Sequence, residues 1–430
     1  KYGIPTPQKG EEVAGSTQQV NQPKDKDQKK KTTNSFFVQA PAKIGARQTL
    51  QGYIRRLIRS ITADSDSIDI NKLINRAIYE LYHEQGRQSE IINKDLFQVT
   101  YTKLHSGIST ELLQVDDTDF ISQFRTNTAV FSAFKNHLQT KEIVSLLVDS
   151  DGKLRSFSQF KKLALQVSEK YNIQWLQTEY NTAVRAARSA ANFKQFQKTA
   201  HLYPNLEYIL SSASHRRVSH EGYAGTILPI DHPWWKTHMP PSDWNCQCSV
   251  RQTDKEPTPV PGEELVNPAF ENNPGESAMI VNIEETQYYK RTAEPDKVIA
   301  EGLIIQKEIL KESRNTAMIE MSKLVGKSIQ IKDPPMTIDI TRRGIKSAIN
   351  KPYIDIIAKL EALPNIVDML KKAKYIGVAE NYKPQKKTHI LKYHYFETKI
   401  NKIPSYIVVE ETNLKEFRFY AITDKKKTTK

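Results

Sequence analysis

At 430 residues the chain can form two or three domains with separate cores, and 38% hydrophobic with 26% charged residues is the balance of globular protein rather than of a disordered or fibrous chain. No apolar run approaches the ~20 residues that span a bilayer. No signal peptide is visible, and a start at Lys1 without methionine reads as a processed or partial product. The formal net charge of +14 is uneven: Thr341 to Lys430 hold 20 Lys and Arg against 9 Asp and Glu. Such a skew suits a polyanionic partner such as nucleic acid, with a solvated basic surface as the plainer reading.

Residues 1–44 are polar, rich in Lys, Gln and Pro, without periodicity, and are expected to form a disordered tail or tether. From Ala46 to about Ala200 the apolar pattern is helical. Ile173, Leu176, Tyr180, Val184, Ala187 and Ala191 recur every three or four residues and mark one face of a long helix. The helix before it is expected to begin at a Ser158 N-cap, after a turn at Asp151-Gly152.

The texture changes after Tyr203-Pro204. Residues 204–252 hold three of the four tryptophans and both cysteines, which reads as a compact loop-and-strand segment. With only Cys246 and Cys248 present, a disulfide framework is excluded and a reducing setting fits. A Pro/Glu/Asn-rich stretch after residue 255 reads as a linker or arm, and a helix is expected around Lys297–Leu324. Asp333-Pro334-Pro335 punctuates the entry to a last domain at 335–424, followed by a tail at 425–430. Helices are expected there at Arg343–Asn350 and Ile354–Lys359. Strands are expected at His389–Ile400, Ser405–Glu410 and Glu416–Thr423, with Asn401-Lys402 as a turn. The class expected is multidomain α+β: a mainly helical N-terminal region over 45–280, a Cys/Trp-rich segment within it, a 281–334 linker with a helix, and a small C-terminal α+β domain with an antiparallel sheet.

The run from His215 to Val250, HRRVSHEGYAGTILPIDHPWWKTHMPPSDWNCQCSV, combines an Arg217-x-x-His220 step, Gly225, Pro229, His232-Pro233-Trp234-Trp235, Pro240-Pro241, Trp244 and a closing Cys246-x-Cys248. It resembles the signature of the Mu protein F-like minor head proteins of phages. NTAVFSAFKNH (127–137), YNIQWLQTEYNTAVRAARSA (171–190), YPNLEYI (203–209) and NNPGES (272–277) look like the flanking parts of that family. The resemblance implies a head-morphogenesis protein inside the virion near the portal, with portal and capsid proteins and packaged DNA as partners. Gln247 stands where relatives carry Arg, and acidic residues usual near Ser214 and Ala224 are missing, which favours a scaffold over a catalytic segment. Thiolate and imidazole are suitable zinc donors, so His220, His232, Cys246 and Cys248 are candidate ligands of a structural zinc ion. The plainer reading is packed cysteines beside an internally bonded His220. The tryptophans read as core or interface anchors.

The terminal runs ITRRGIKSAINKPY (340–353), LPNIVDMLKKAKYIG (363–377), LKYHYFETKINKIPSYIVVEE (391–411) and FRFYAITD (417–424) are similar to phage-borne nuclease domains of the barnase, EndoU, colicin and RelE-like group. That resemblance implies a toxin-type ribonuclease without a cofactor, an RNA substrate, an immunity protein as partner and delivery to a bacterial cytoplasm. Metal-free RNA cleavage needs a base for the 2′-hydroxyl, an acid for the leaving oxygen and cations for the phosphorane. The candidates are Lys346, His394, Arg418 and Tyr420, expected to converge on one phosphate. Ser347 stands where many relatives carry His, which moves the base role to His394 or His389. Lys383, Lys386, Lys387 and Lys392 are candidate nucleic-acid contacts. A purely structural, portal-associated protein whose basic domain binds DNA without catalysis is the alternative.

Overall fold

The computed structural model describes residues 69–85, 92–212, 217–262, 266–381 and 384–426. The expected 1–44 tail and residues 427–430 lie outside the described residues.

Short polar side chains start the first helices. Asp69 caps α1 (Ile70–His83), Asn93 caps α2 (Lys94–Glu111) and Asp117 caps α3 (Thr118–Val144), each accepting a bond from an N–H of the first turn that has no partner within the helix. α4 (Phe157–Glu169) starts with a capping box in which the hydroxyl of Ser156, not Ser158, meets the Gln159 N–H. One wide helical turn, Lys170–Trp175, joins it to α5 (Leu176–Thr199), whose buried stripe of Ala183, Ala186, Ala187 and Ala190 lets it pack closely.

α3 lies at the centre of this region and is buried on most sides. Its polar residues are therefore partnered internally: Lys135 with Glu179, Gln139 with Asn172, while Tyr288 Oη donates to the second Glu179 oxygen at 2.5 Å. The long helix α6 (Pro295–Ser322) packs along α3. Between them in sequence, β1 (Asn205–Ile209) pairs antiparallel with both β2 (Ile227–Pro229) and β3 (Ser249–Thr253) in a small sheet of order β2-β1-β3.

The C-terminal region carries α7 (Arg342–Asn350), α8 (Ile356–Ala362) and α9 (Ile366–Lys372) with a six-stranded sheet. Its strands are β4 (Ser328–Ile331), β5 (Met336–Asp339), β6 (Lys374–Glu380), β7 (Ile390–Ile400), β8 (Ile403–Thr412) and β9 (Phe417–Thr423), in the order β4-β5-β9-β8-β7-β6. All neighbours are antiparallel except β5 and β9. Asp333-Pro334-Pro335 forms the turn of the β4–β5 hairpin, so the sheet begins before the expected boundary. Asn401 and Lys402 both take positive φ, the geometry of a tight turn that matches strand twist. α7 lies so close to β9 that a Cβ on Gly344 would fall on the Phe419 carbonyl, and only glycine fits there.

One core runs without a break from the helices into the inner face of this sheet, where Phe396, Ile407, Val409, Phe419 and Ile422 meet α7 to α9. The other face carries a smaller cluster of Ala379, Tyr393, Tyr395, Val408 and Ala421. A helical N-terminal part with a C-terminal sheet domain is the α+β class read from the sequence.

Candidate functional site

The segment after β1 turns back through a tight helical stretch, Val218–Tyr223, which buries His220. Cys246 and Cys248 lie in the turn that leads into β3, where Asn245 takes φ 57°. That turn is tied to α5: the Asn245 N–H donates to the Thr182 hydroxyl at 2.8 Å and Arg185 donates to the Asn245 side chain at 2.7 Å. The result places Cys246 Sγ 3.7 Å and Cys248 Sγ 3.8 Å from His220 Nδ1. The Cys248 N–H also points at Cys246 Sγ, 3.4 Å away.

The two thiols do not titrate alike. The contact with Cys246 holds the Cys248 thiol well below the ordinary range against the effect of burial, with His220 and Tyr208 adding to the shift. His232 does not join the group; its Nδ1 accepts the Trp234 N–H at 3.2 Å. His238 stacks on the Trp234 ring with centroids 4.4 Å apart, and burial lowers its pKa. Trp234 and Trp235 are buried and Trp244 packs against Phe131 and Phe270, so none of the three forms a base-stacking platform.

On the terminal sheet, register decides which candidates meet. His394 lies opposite Val409, and Tyr393 lies opposite Glu410. His394 therefore projects to the inner face with Glu411, and Tyr393 to the outer face with Glu410. Both His394 nitrogens are engaged, Nε2 with Glu411 at 3.0 Å and Nδ1 with the Tyr375 hydroxyl at 3.1 Å. Hydrogen bonds from His394 and Lys415 outweigh burial and hold the Glu411 carboxyl below the usual range.

Tyr420 belongs to the outer face. Val408 pairs with Ala421 and Val409 with Phe419, so Tyr420 is the extra residue of a β-bulge, a device that re-aims a side chain. Lys387 Nζ lies 4.0 Å from the centre of its ring and Lys351 Nζ 5.2 Å from it. Lys387 also donates to Glu410 at 2.7 Å and to the Tyr393 hydroxyl at 3.1 Å. Burial alone would raise the Tyr420 phenol, but hydrogen bonding to Lys387, Ser347 and Lys351 outweighs it and the pKa is lowered.

Arg418, opposite Glu410, shares this face and is ion-paired to Glu416. Lys346 is exposed on α7 beside Arg342 and Arg343. Arg343 Nη1 meets His389 Nε2 at 2.8 Å and ties α7 to the loop that carries Lys386, which is exposed, and Lys387. Lys392 is 3.7 Å from Glu380, and Lys383 lies outside the described residues. The sheet thus keeps His394 on one side and Arg418 with Tyr420 on the other, and no single phosphate is reached by all of them. Lys351, Tyr393 and Glu410, which the sequence did not single out, join Tyr420 instead; only the bulge and the register reveal them.

The family described as "Phage Mu protein F like protein" matches residues 154–251, the span that builds the Cys/His group and its small sheet. The segment resembles that family. Over 76 residues the chain is 37% identical to the "Putative capsid assembly protein F" of Escherichia phage Mu, covering 18% of this chain and 17% of that protein. It is 36% identical over 75 residues to the "Mu-like prophage FluMu F protein" of Haemophilus influenzae, covering 17% of each. The chain thus spans about a sixth of the length of the curated relatives that it matches. Residues 308–420 match a second family, "Large polyvalent protein-associated domain 3", a description that names no chemistry. No solved structure matches the chain.

Proposed function

We propose that the chain is a phage head-assembly protein that works inside the virion, with the portal and capsid subunits as its partners. The observation that carries this reading is the 154–251 match to the Mu F-like family, together with the relative from phage Mu named for capsid assembly. Mass spectrometry and cross-linking of purified heads test it. The chain is expected in mature heads, cross-linked to portal or capsid subunits. Its absence from purified heads, or normal head assembly by phage lacking its gene, would overturn the proposal.

The basic terminal region serves this role as a surface for packaged DNA. The Arg343–His389 contact ties α7, which carries Arg342, Arg343 and Lys346, to the loop of Lys386 and Lys387, and Lys387 and Lys351 flank the same Tyr420 ring. Cations that neutralise phosphates release counterions, so duplex DNA affinity should fall steeply with salt. Replacing the exposed pair Lys346→Gln/Lys386→Gln should reduce the slope of log affinity against log salt by about 2. A flat salt response in the parent protein would remove the DNA contact.

One observation favours a second reading, a ribonuclease with its own immunity protein: a phenol of lowered pKa flanked by two lysines at Tyr420. In that case Tyr420 serves as the base toward the RNA 2′-hydroxyl and the lysines hold the phosphate. Cleavage of bulk RNA by the full chain, abolished by Tyr420→Phe and kept by His394→Gln, would establish this reading. No cleavage by folded protein would leave the DNA contact alone.

A further inference from the structure

We infer that His220, Cys246 and Cys248 hold one zinc ion, which joins the tight helical stretch before β2 to the turn before β3. This goes beyond the assembly role and does not depend on it. Among the described residues these three are the group of His, Cys, Asp and Glu side chains gathered closely enough to bind a metal, their donor atoms all within 4.8 Å of one another.

The separations fit those that a bound ion would set. Zinc holds sulfur at about 2.3 Å and nitrogen at about 2.0–2.1 Å in a tetrahedron, which puts sulfur and nitrogen about 3.6 Å apart. Both sulfurs lie near that distance from the same ring nitrogen, at 3.7 and 3.8 Å. One imidazole nitrogen accepts a single S–H, so hydrogen bonding alone accounts for one of these two contacts, whereas a shared ion accounts for both. Neither is bound in a disulfide.

The surroundings fit as well. Asn245 in the left-handed region turns the chain just before the Cys-x-Cys pair, one residue closer than the usual knuckle, and so orients the pair toward His220. The Cys248 N–H directed at Cys246 Sγ is the kind of outer contact that holds a metal-bound thiolate in place. No fourth donor of these types belongs to the group among the described residues. Zinc binds both sulfurs as thiolates, so affinity drops as the pH is lowered.

The mechanical reason for an ion here is the smallness of the sheet. β2 has three residues, β1 and β3 five each, and the long excursion between β2 and β3 includes the two Pro-rich turns. A metal bond from His220 to the cysteines closes that excursion where few backbone bonds can.

Metal analysis of the full chain, purified without chelator, is the test. About one zinc per chain is expected. Cys246→Ser, Cys248→Ser and His220→Ala should each lose most of it, whereas His232→Ala should keep it. Cobalt substitution should give a thiolate charge-transfer band that either serine variant largely loses. If the variants fail to fold, the parent protein decides: zinc added after chelation should raise the melting temperature, and magnesium should not. Parent protein without zinc that shows no shift on adding it, or a Cys246–Cys248 disulfide in protein prepared without air, would overturn the inference.

Discussion

Lys359 shows how one buried side chain sets a pH response. It lies beneath α7 and donates to the Ala348 carbonyl at 2.8 Å and also to the Lys351 carbonyl. Burial lowers its pKa to about 7. Between that value and about 10.4 in the unfolded chain, the unfolded state binds a proton that the folded state lacks, so stability rises with pH across the window. Below about 7 the cost of burying the charge is present in full. Lys359→Met should therefore flatten the gain in urea midpoint between pH 7 and pH 10. An unchanged slope would mean that Lys359 keeps its proton in the fold. Tyr420 and His394 make the complementary point: both are candidates by chemistry, and a one-residue bulge decides which of them meets a lysine.

At the scale of single elements, caps and turns follow local rules, with small displacements. The cap of α4 lies two residues before the expected serine because Ser156, not Ser158, has a glutamine three positions on to complete a reciprocal cap. Ser156→Ala should cost about 1 kcal/mol in thermal or chemical unfolding, and Ser158→Ala close to nothing. Equal losses at the two positions would contradict the assignment. Strands β7, β8 and β9 stand within about three residues of where alternation places them, since long half-buried strands print a period of two. β4 and β5 were missed because four residues each are too few to show a period, and β6 because its alternation is broken by a bulge at Tyr375/Gly377.

Across the whole described chain, the terminal sheet is not an independent appendage. His105 of α2 meets Asp355, which also caps α8, at 3.4 Å, and Ser109 donates to the Ile354 carbonyl at 3.1 Å. The side chain of Arg125 from α3 reaches the same carbonyl. Because the core is continuous through this contact, both regions should unfold in one transition. All four tryptophans precede residue 245, so their fluorescence reports the chain before the terminal sheet, and hydrogen exchange in β7 and β8 reports that sheet. The two probes should share one urea midpoint. Asp355→Ala, which leaves His105 without its carboxylate and α8 without its cap, should lower both by the same amount, about 1–3 kcal/mol. Separate midpoints in the parent protein would show that the contact couples nothing.

What the sequence determined by itself was local or compositional. Helical spacing up to residue 200, the Cys/Trp segment, the charge skew and the long strands each follow from periods and residue types that no distant contact can erase. Three of the four candidate zinc ligands lie together in the fold, and residue type alone had marked them out. Which three, and which partners surround Tyr420, was decided by tertiary structure. His232 is spent on a turn, His394 is turned to the inner face, and Lys351 and Glu410 arrive from elements far apart in the chain. Register and bulges depend on how strands pair across long separations. Such pairing leaves no mark in the spacing of any one segment, and so convergence on a site is not written in the sequence in the way that the elements are.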